Sequence, residues 1–206
     1  LIAEIGSAYV RGLQEVRSDE RPVIANLKHL VGHGLPEGGL NQAPSHIGSR
    51  ELVDDYLFPF EVAVRTAGAG SVMHAYDDLD GVPCVASREL LTTVLRDQWG
   101  FDGIVVSDYA GVDQLVARHR LAEDLGEAAA LALKAGVDID MMADAYRRGL
   151  PVALERGLVR MRDIDTAVRR VLRLKERLGL FKDPYRRGAQ REPVAVLRRR
   201  RNLARE

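Results

Sequence analysis

The sequence predicts a parallel α/β fold, and three observations carry that expectation. Apolar runs alternate with stretches of helical periodicity, the pattern of consecutive βαβ units. The clearest run, Gly103-Ile104-Val105-Val106-Ser107-Asp108-Tyr109, is β-branched and unalternating, as in strands buried on both faces. Three runs also end in polar residues: Asn26-Leu27-Lys28-His29, Met73-His74-Ala75-Tyr76 and the one closed by Asp108. Parallel α/β folds place their chemistry at such strand ends. An open doubly wound sheet is the alternative, but no Gly-x-Gly-x-x-Gly loop follows any strand. The expectation is therefore a partial (β/α)8 barrel of TIM type over residues 1–181. A whole barrel takes about 250 residues, so units are expected to be missing before Leu1.

The elements follow in order. Residues 2–13 place Ile2, Ile5, Tyr9 and Leu13 at helical spacing, and a turn follows at Ser18-Asp19-Glu20-Arg21-Pro22. A short strand is expected over Val23–Leu27. From Gly32 to Gly48 there are five glycines, two prolines and no period. Irregular loops of that length in compact domains are usually functional. A helix over 49–67 carries Leu52, Tyr56, Leu57, Phe60 and Val64 on one face, with Pro59 bending it or starting its second half. The second strand is Ser71–Ala75, and turn formers fill Asp77 to Pro83. Ser87 is placed to cap a helix bearing Leu90, Leu91, Val94 and Leu95, which Trp99–Gly103 ends. An Ala-rich helix over 122–135 stops at Gly136, and a fourth strand covers Val137–Met142. The last helix, Asp163–Leu180, turns Ile164, Ala167, Val168, Val171, Leu172 and Leu178 inward. Residues 182–206 read as a linker.

The composition is that of a globular chain: 206 residues, 46% hydrophobic and 29% charged. Thirty basic residues balance thirty acidic ones, which gives no long-range attraction to nucleic acid or an anionic membrane. The exception is the tail, where Arg198-Arg199-Arg200-Arg201 follow Arg186-Arg187 and Arg191. Without aromatic partners it reads as a solvated helix or linker. The single cysteine, Cys84, excludes an intramolecular disulfide and a multi-cysteine zinc site, and reads as a small buried filler. No stretch approaches a membrane span and no secretory signal is visible. The chain opens inside a helical pattern, so it is expected to be a fragment, and the compartment stays open.

Asp108 is either the cap of a following helix or a catalytic carboxylate. Lys28 and His29 are adjacent, so both reach one pocket only if the strand ends or bulges there. Together they supply donors suited to a neutral, hydroxyl-rich ligand. A metal reading would use His29 and His33 with His46 and His74, but Gly32 and Gly34 argue against the helical His-x-x-x-His it needs. Tyr76 is a donor or acceptor at the same pocket, or an aromatic lid over the core. Arg50 and Glu51 read as surface charges.

These segments together resemble glycoside hydrolase family 3. The likeness runs through Lys28-His29-Leu30-Val31-Gly32-His33-Gly34-Leu35-Pro36-Glu37-Gly38-Gly39, Arg50-Glu51-Leu52 and Tyr56–Glu61. It continues through Ser71–Tyr76, Leu95–Asp108 and the closing Val168–Tyr185 stretch, in collinear order over nearly the whole chain. The resemblance implies retaining hydrolysis, releasing a non-reducing terminal β-linked sugar from an oligosaccharide or glycoside without cofactor or metal. It makes Asp108 the nucleophile, places Lys28 and His29 on sugar hydroxyls in the −1 subsite, and has Tyr76 support the nucleophile. Tyr109 stands where many relatives carry Trp, altering the +1 platform, and Asp77 stands where Asn is frequent. The β-N-acetylglucosaminidase branch takes its acid/base from an Asp-Ser-His signature. Pro44-Ser45-His46 lacks that Asp, which favours the β-glucosidase type. In that branch the acid/base belongs to a following α/β sandwich domain, absent here, and an Asp and an Arg come from upstream strands. Two rival readings are a Schiff-base barrel enzyme using Lys28 and an inactive sugar-binding barrel remnant.

Overall fold

The computed structural model describes residues 1–15, 23–185 and 194–205. The turn expected at Ser18–Pro22 and the arginines Arg186, Arg187 and Arg191 lie outside the described residues. A parallel sheet forms the centre, with strands β1 (Asn26–Leu30), β2 (Ser71–His74) and β5 (Ile104–Val106) in the order β1-β2-β5. The first strand begins three residues later than expected. The fourth expected strand is reduced to one parallel bridge, Val106 to Ile139. Asp138 turns its carboxylate back under β5, and Met142 adopts a left-handed φ of 65°, which ends extended pairing there. The sheet of the described residues is open, without barrel closure. A two-stranded hairpin, β3 (Asp78–Leu79) with β4 (Val82–Pro83), turns through Asp80 and Gly81, both at positive φ.

Helix α1 (Ile2–Gln14) packs on the second half of α2, which spans residues 49–67. Its buried residues are Ala3, Ser7 and Val10, whereas Ile2, Ile5 and Tyr9 of the apolar series are exposed. The small residues let α1 approach closely, and the large ones form a separate outer stripe. The Gln14 amide donates to Gly68 O (2.8 Å) and accepts from Ala25 N (3.1 Å) and Gly70 N (3.0 Å). In α2 a wide π-type turn over Leu52–Leu57 precedes the regular Phe58–Ala67, so Pro59 starts the second half and its missing N–H costs nothing. Leu57 and Val64 are buried and Leu52, Tyr56 and Phe60 pack against the same core, the face expected of this helix.

Ser87 caps α3 (Glu89–Gln98) by accepting from Leu90 N at 3.2 Å. Short α4 (Gln114–Ala117) follows the third sheet strand. Asp124 caps α5 (Leu125–Ala135) and Gly136 closes it. Helix α6 (Ala145–Glu155) has no counterpart in the sequence reading, because Gly149 and Pro151 interrupt its pattern. Gly149 is where α6 meets α5: a Cβ there would stand 2.2 Å from the Leu125 carbonyl oxygen. Helix α7 (Met161–Arg177) buries Ala167 and Leu174, with Leu178 just beyond, whereas the expected inward residues Val168 and Leu172 are exposed. Its apolar arc is wider than the face it packs. Residues Val194–Leu203 form α8. No helix of the described residues is long and apolar enough to cross a membrane.

Beneath the sheet, the fully buried Asp138 carboxylate accepts from Arg96 (2.6 Å), Arg170 (3.0 Å) and Val105 N (2.8 Å). It thereby ties α3, β5 and α7 together. Cys84 is fully buried against Val31 O and Asp77, as expected of a filler.

Candidate active site

The C-terminal ends of the three sheet strands converge on Asp108. The turn after β5 is fixed by backbone bonds: Ala110 N donates to Met141 O (2.8 Å) and Gly111 N to Asp108 O (2.9 Å). Ser107 Oγ donates to Asp108 O and accepts from Met141 N. Ala110 sits at φ 52°, a conformation costly for a residue with a Cβ and common beside functional groups. Asp108 itself is buried, its Oδ1 accepting from Tyr109 N at 2.6 Å. Oδ2 lies 3.3 Å from His29 Nε2.

His29 arrives from β1, whose pairing register shifts between Leu27 and Leu30. That irregularity is the bulge a shared pocket requires. His29 faces Asp108 and is half-buried, whereas Lys28 is exposed. The His29 and His33 rings stack with centroids 4.3 Å apart. Burial holds the His29 pKa below its ordinary value against the opposing pull of Asp108, with His33 and Lys28 lowering it further. At neutral pH the imidazole is uncharged, and its Nε2 faces the carboxylate as a polar neighbour rather than as an ion-pair partner.

Tyr76, just past β2, donates its hydroxyl to Tyr109 O at 2.6 Å. Burial and the neighbouring Asp108 carboxylate push the phenol up to about 12, so it remains protonated and a donor. Tyr109 is 59% exposed and free to meet a ligand. Thus Asp108, His29, Tyr76 and Tyr109 are brought together, and Lys28 stands at the same strand end.

His119 had no place in the sequence analysis, and His74 and Asp77 entered it only as part of a metal reading and as a departure from the family pattern. His74 lies fully buried behind Asp108, and His119 Nε2 contacts Tyr76 O at 3.1 Å. Asp77 is buried beneath the loop from Gly32 to Gly48, with Oδ2 unpartnered and 2.8 Å from where a Gly32 Cβ would stand. That loop is pinned by Ser45, whose N–H donates to Asp78 O and whose Oγ donates to Gly32 O. A histidine inside an apolar run, or an acid in a turn-rich stretch, carries no periodic signal that would single it out.

Other candidates fall outside the cluster. His46 pairs with Glu37 (2.8 Å) and Arg50 with Asp54, both on the surface. Among the described residues no three His, Cys, Asp or Glu side chains converge on a metal position. An 810 Å³ cavity lined by Leu52, Leu57, Leu79 and Leu90 does not include Asp108, His29 or Tyr76 in its walls.

Residues 1–174 match the model of the glycosyl hydrolase family 3 N terminal domain. The chain belongs to glycosyl hydrolase family 3. It is 42% identical over 191 residues to a β-xylosidase from Formosa agariphila, covering 88% of this chain and 26% of that protein. A periplasmic β-glucosidase of Salmonella typhimurium is 38% identical over 186 residues, 90% of this chain and 24% of its own length. Among solved structures, the β-glucosidase of Listeria innocua in complex with isofagomine superposes with a TM-score of 0.84 at 35% identity, covering 93% of this chain and 27% of that one. The chain therefore spans about a quarter of the length of these family 3 relatives. The family match runs unbroken from α1 through most of α7, so the three converging strand ends all fall within it.

Proposed function

We propose that this chain is the nucleophile-bearing part of a retaining β-glycosidase barrel, acting on a terminal β-linked glucosyl or xylosyl unit. The observation that carries the reading is the Asp108 carboxylate, buried at the end of a parallel strand, with Oδ1 held by the Tyr109 N–H and Oδ2 facing His29 Nε2 at 3.3 Å. The Tyr109 N–H holds Oδ1, and Oδ2 is the oxygen that attacks the anomeric carbon. A second residue protonates the leaving oxygen, and water then cleaves the glycosyl ester. Lys28 and His29 hold hydroxyls of the −1 sugar, Tyr76 keeps the nucleophile's turn in place, and Tyr109 supplies the face for the next sugar. The sugar preference follows the names of the relatives, which include both β-glucosidases and β-xylosidases. A Schiff-base role for Lys28 is disfavoured by its exposure, since such lysines are activated by desolvation or a second cation.

The acid/base is assigned to a following sandwich domain and the rest of the barrel to upstream strands. The 206 residues alone are therefore expected to be poorly stable and to release no aglycone. The exposed apolar stripes of Ile2, Ile5 and Tyr9 on α1 and of Val168 and Leu172 on α7 are expected to make them self-associate.

The test uses the full-length protein and a 2-deoxy-2-fluoro glycoside with a good leaving group. The fluorine slows both steps and the leaving group restores only the first, so the glycosyl ester accumulates. Peptide mass spectrometry is expected to find the label on Asp108, and Asp108→Asn to lose turnover while keeping its fold. Label on another carboxylate, or normal turnover in the variant, overturns the assignment.

A further inference from the structure

Resting on the assignment of Asp108 as nucleophile, we propose that His74 is its positioning residue, setting the Asp108 main chain from the end of β2. His74 is fully buried, so it acts through Asp108 and touches no substrate. Its Nδ1 lies 2.7 Å from Ala75 O. A carbonyl only accepts, so Nδ1 carries the proton. Nε2 is then a lone pair, and the Asp108 N–H donates to it at 3.4 Å. One tautomer of one ring thus joins the second strand to the peptide of the catalytic carboxylate.

The turn is shaped around this ring. A Cβ at Gly111 would stand 2.9 Å from His74 Cε1 and 3.2 Å from Nε2, so the backbone lies directly on the imidazole. Gly111 N in turn donates to Asp108 O at 2.9 Å. The ring therefore meets Asp108 at its N–H and the turn at Gly111, while Tyr109 N holds the carboxylate from the same turn. The titratable groups around His74 are Asp108, which favours a ring proton, and His29 and His119, which oppose it. Burial outweighs them all and keeps the ring uncharged at neutral pH, as the two contacts require.

Three substitutions in the full-length protein test this. His74→Leu fills the space without an acceptor, His74→Gln restores an acceptor close to the Nε2 position, and Gly111→Ala pushes on the ring from the other side. His74→Leu is expected to lower kcat by about 10- to 100-fold with little change in KM, the result of a displaced reacting group. Gln is expected to regain most of that loss, and Gly111→Ala to lower kcat in the same way. Circular dichroism fixes the folded fraction, so that only activity per folded molecule is compared. Equal activity in Leu and Gln variants, a loss confined to KM, or an unaffected Gly111→Ala overturns the proposal. If instead the wild type neither turns over a β-glycoside nor takes the fluoro-sugar label, the nucleophile assignment itself falls, and the role of His74 with it.

Discussion

The Tyr76 hydroxyl donates to the Tyr109 carbonyl at 2.6 Å, tying the end of β2 to the turn that carries Asp108. The bond holds main chain, so its loss should move the carboxylate without removing any group that meets a sugar. Tyr76→Phe is expected to cost about 1 kcal/mol or less in stability and to reduce kcat more than it raises KM. Steady-state kinetics alongside thermal melting check this, and an unchanged kcat removes Tyr76 from the support of the site.

Acid should loosen the fold through His74. Burial lowers this imidazole to about 4, whereas in the unfolded chain it takes its proton near the ordinary 6.5. The stability it contributes is complete above 6.5 and is lost as pH falls towards 4, amounting to about 3 kcal/mol. Melting curves of wild type and His74→Gln across that window are expected to differ by this slope. Parallel curves would show that His74 is not the group being protonated.

Asp77 should act in the opposite sense. Burial holds its carboxyl above the ordinary range, with Ser45 partly offsetting the effect. An acid raised in this way stabilises the fold most below its unfolded pKa of about 4, and the contribution is lost as pH climbs through the raised value. Asp77→Asn keeps the shape without the charge. It is expected to match or exceed wild-type stability at pH 7, with the difference shrinking towards pH 4. A variant less stable at pH 7 than at pH 4, relative to wild type, contradicts the assignment.

Asp138 anchors two arginines from a fully buried position, and Arg96 is itself only 7% exposed. Removing the acid strands a buried guanidinium, so Asp138→Ala is expected to cost about 3–5 kcal/mol. Chemical denaturation checks the size, and a loss below about 1 kcal/mol, the range of surface pairs, would mean the arginines reach water instead.

Much of the arrangement was legible in local sequence. Asp108 stood out because an ionisable residue ends a β-branched run, and Ser87 and Gly136 marked helix ends through cap chemistry that needs only neighbours. What escaped depended on contacts between distant segments. Periodicity marked apolar stripes on α1 and α7 but not which stripe faces the sheet, so Ile5, Val168 and Leu172 lie outward. The helix α6 was hidden by Gly149 and Pro151, the former required by the close approach of α5. The fourth strand carries apolar residues at Val137, Ile139, Met141 and Met142, yet the pull of two arginines and a backbone amide on Asp138 leaves it one bridge. The place of His29 against Asp108 needs β1 and β5 to be set beside β2, which no window of sequence contains.

Gln14, at the far end of the molecule from the carboxylate, bears on where that carboxylate stands. Its amide oxygen takes N–H groups just before both β1 and β2, so the two strands start at a common level. Sliding β1 by one residue would lift it about 3.3 Å and abandon one of those amides. The same slide would carry His29 past Asp108, because a strand transmits an axial shift along its length. A glutamine at a helix terminus thus works as a depth gauge, and the vertical alignment of imidazole and carboxylate is calibrated from the opposite end of the sheet.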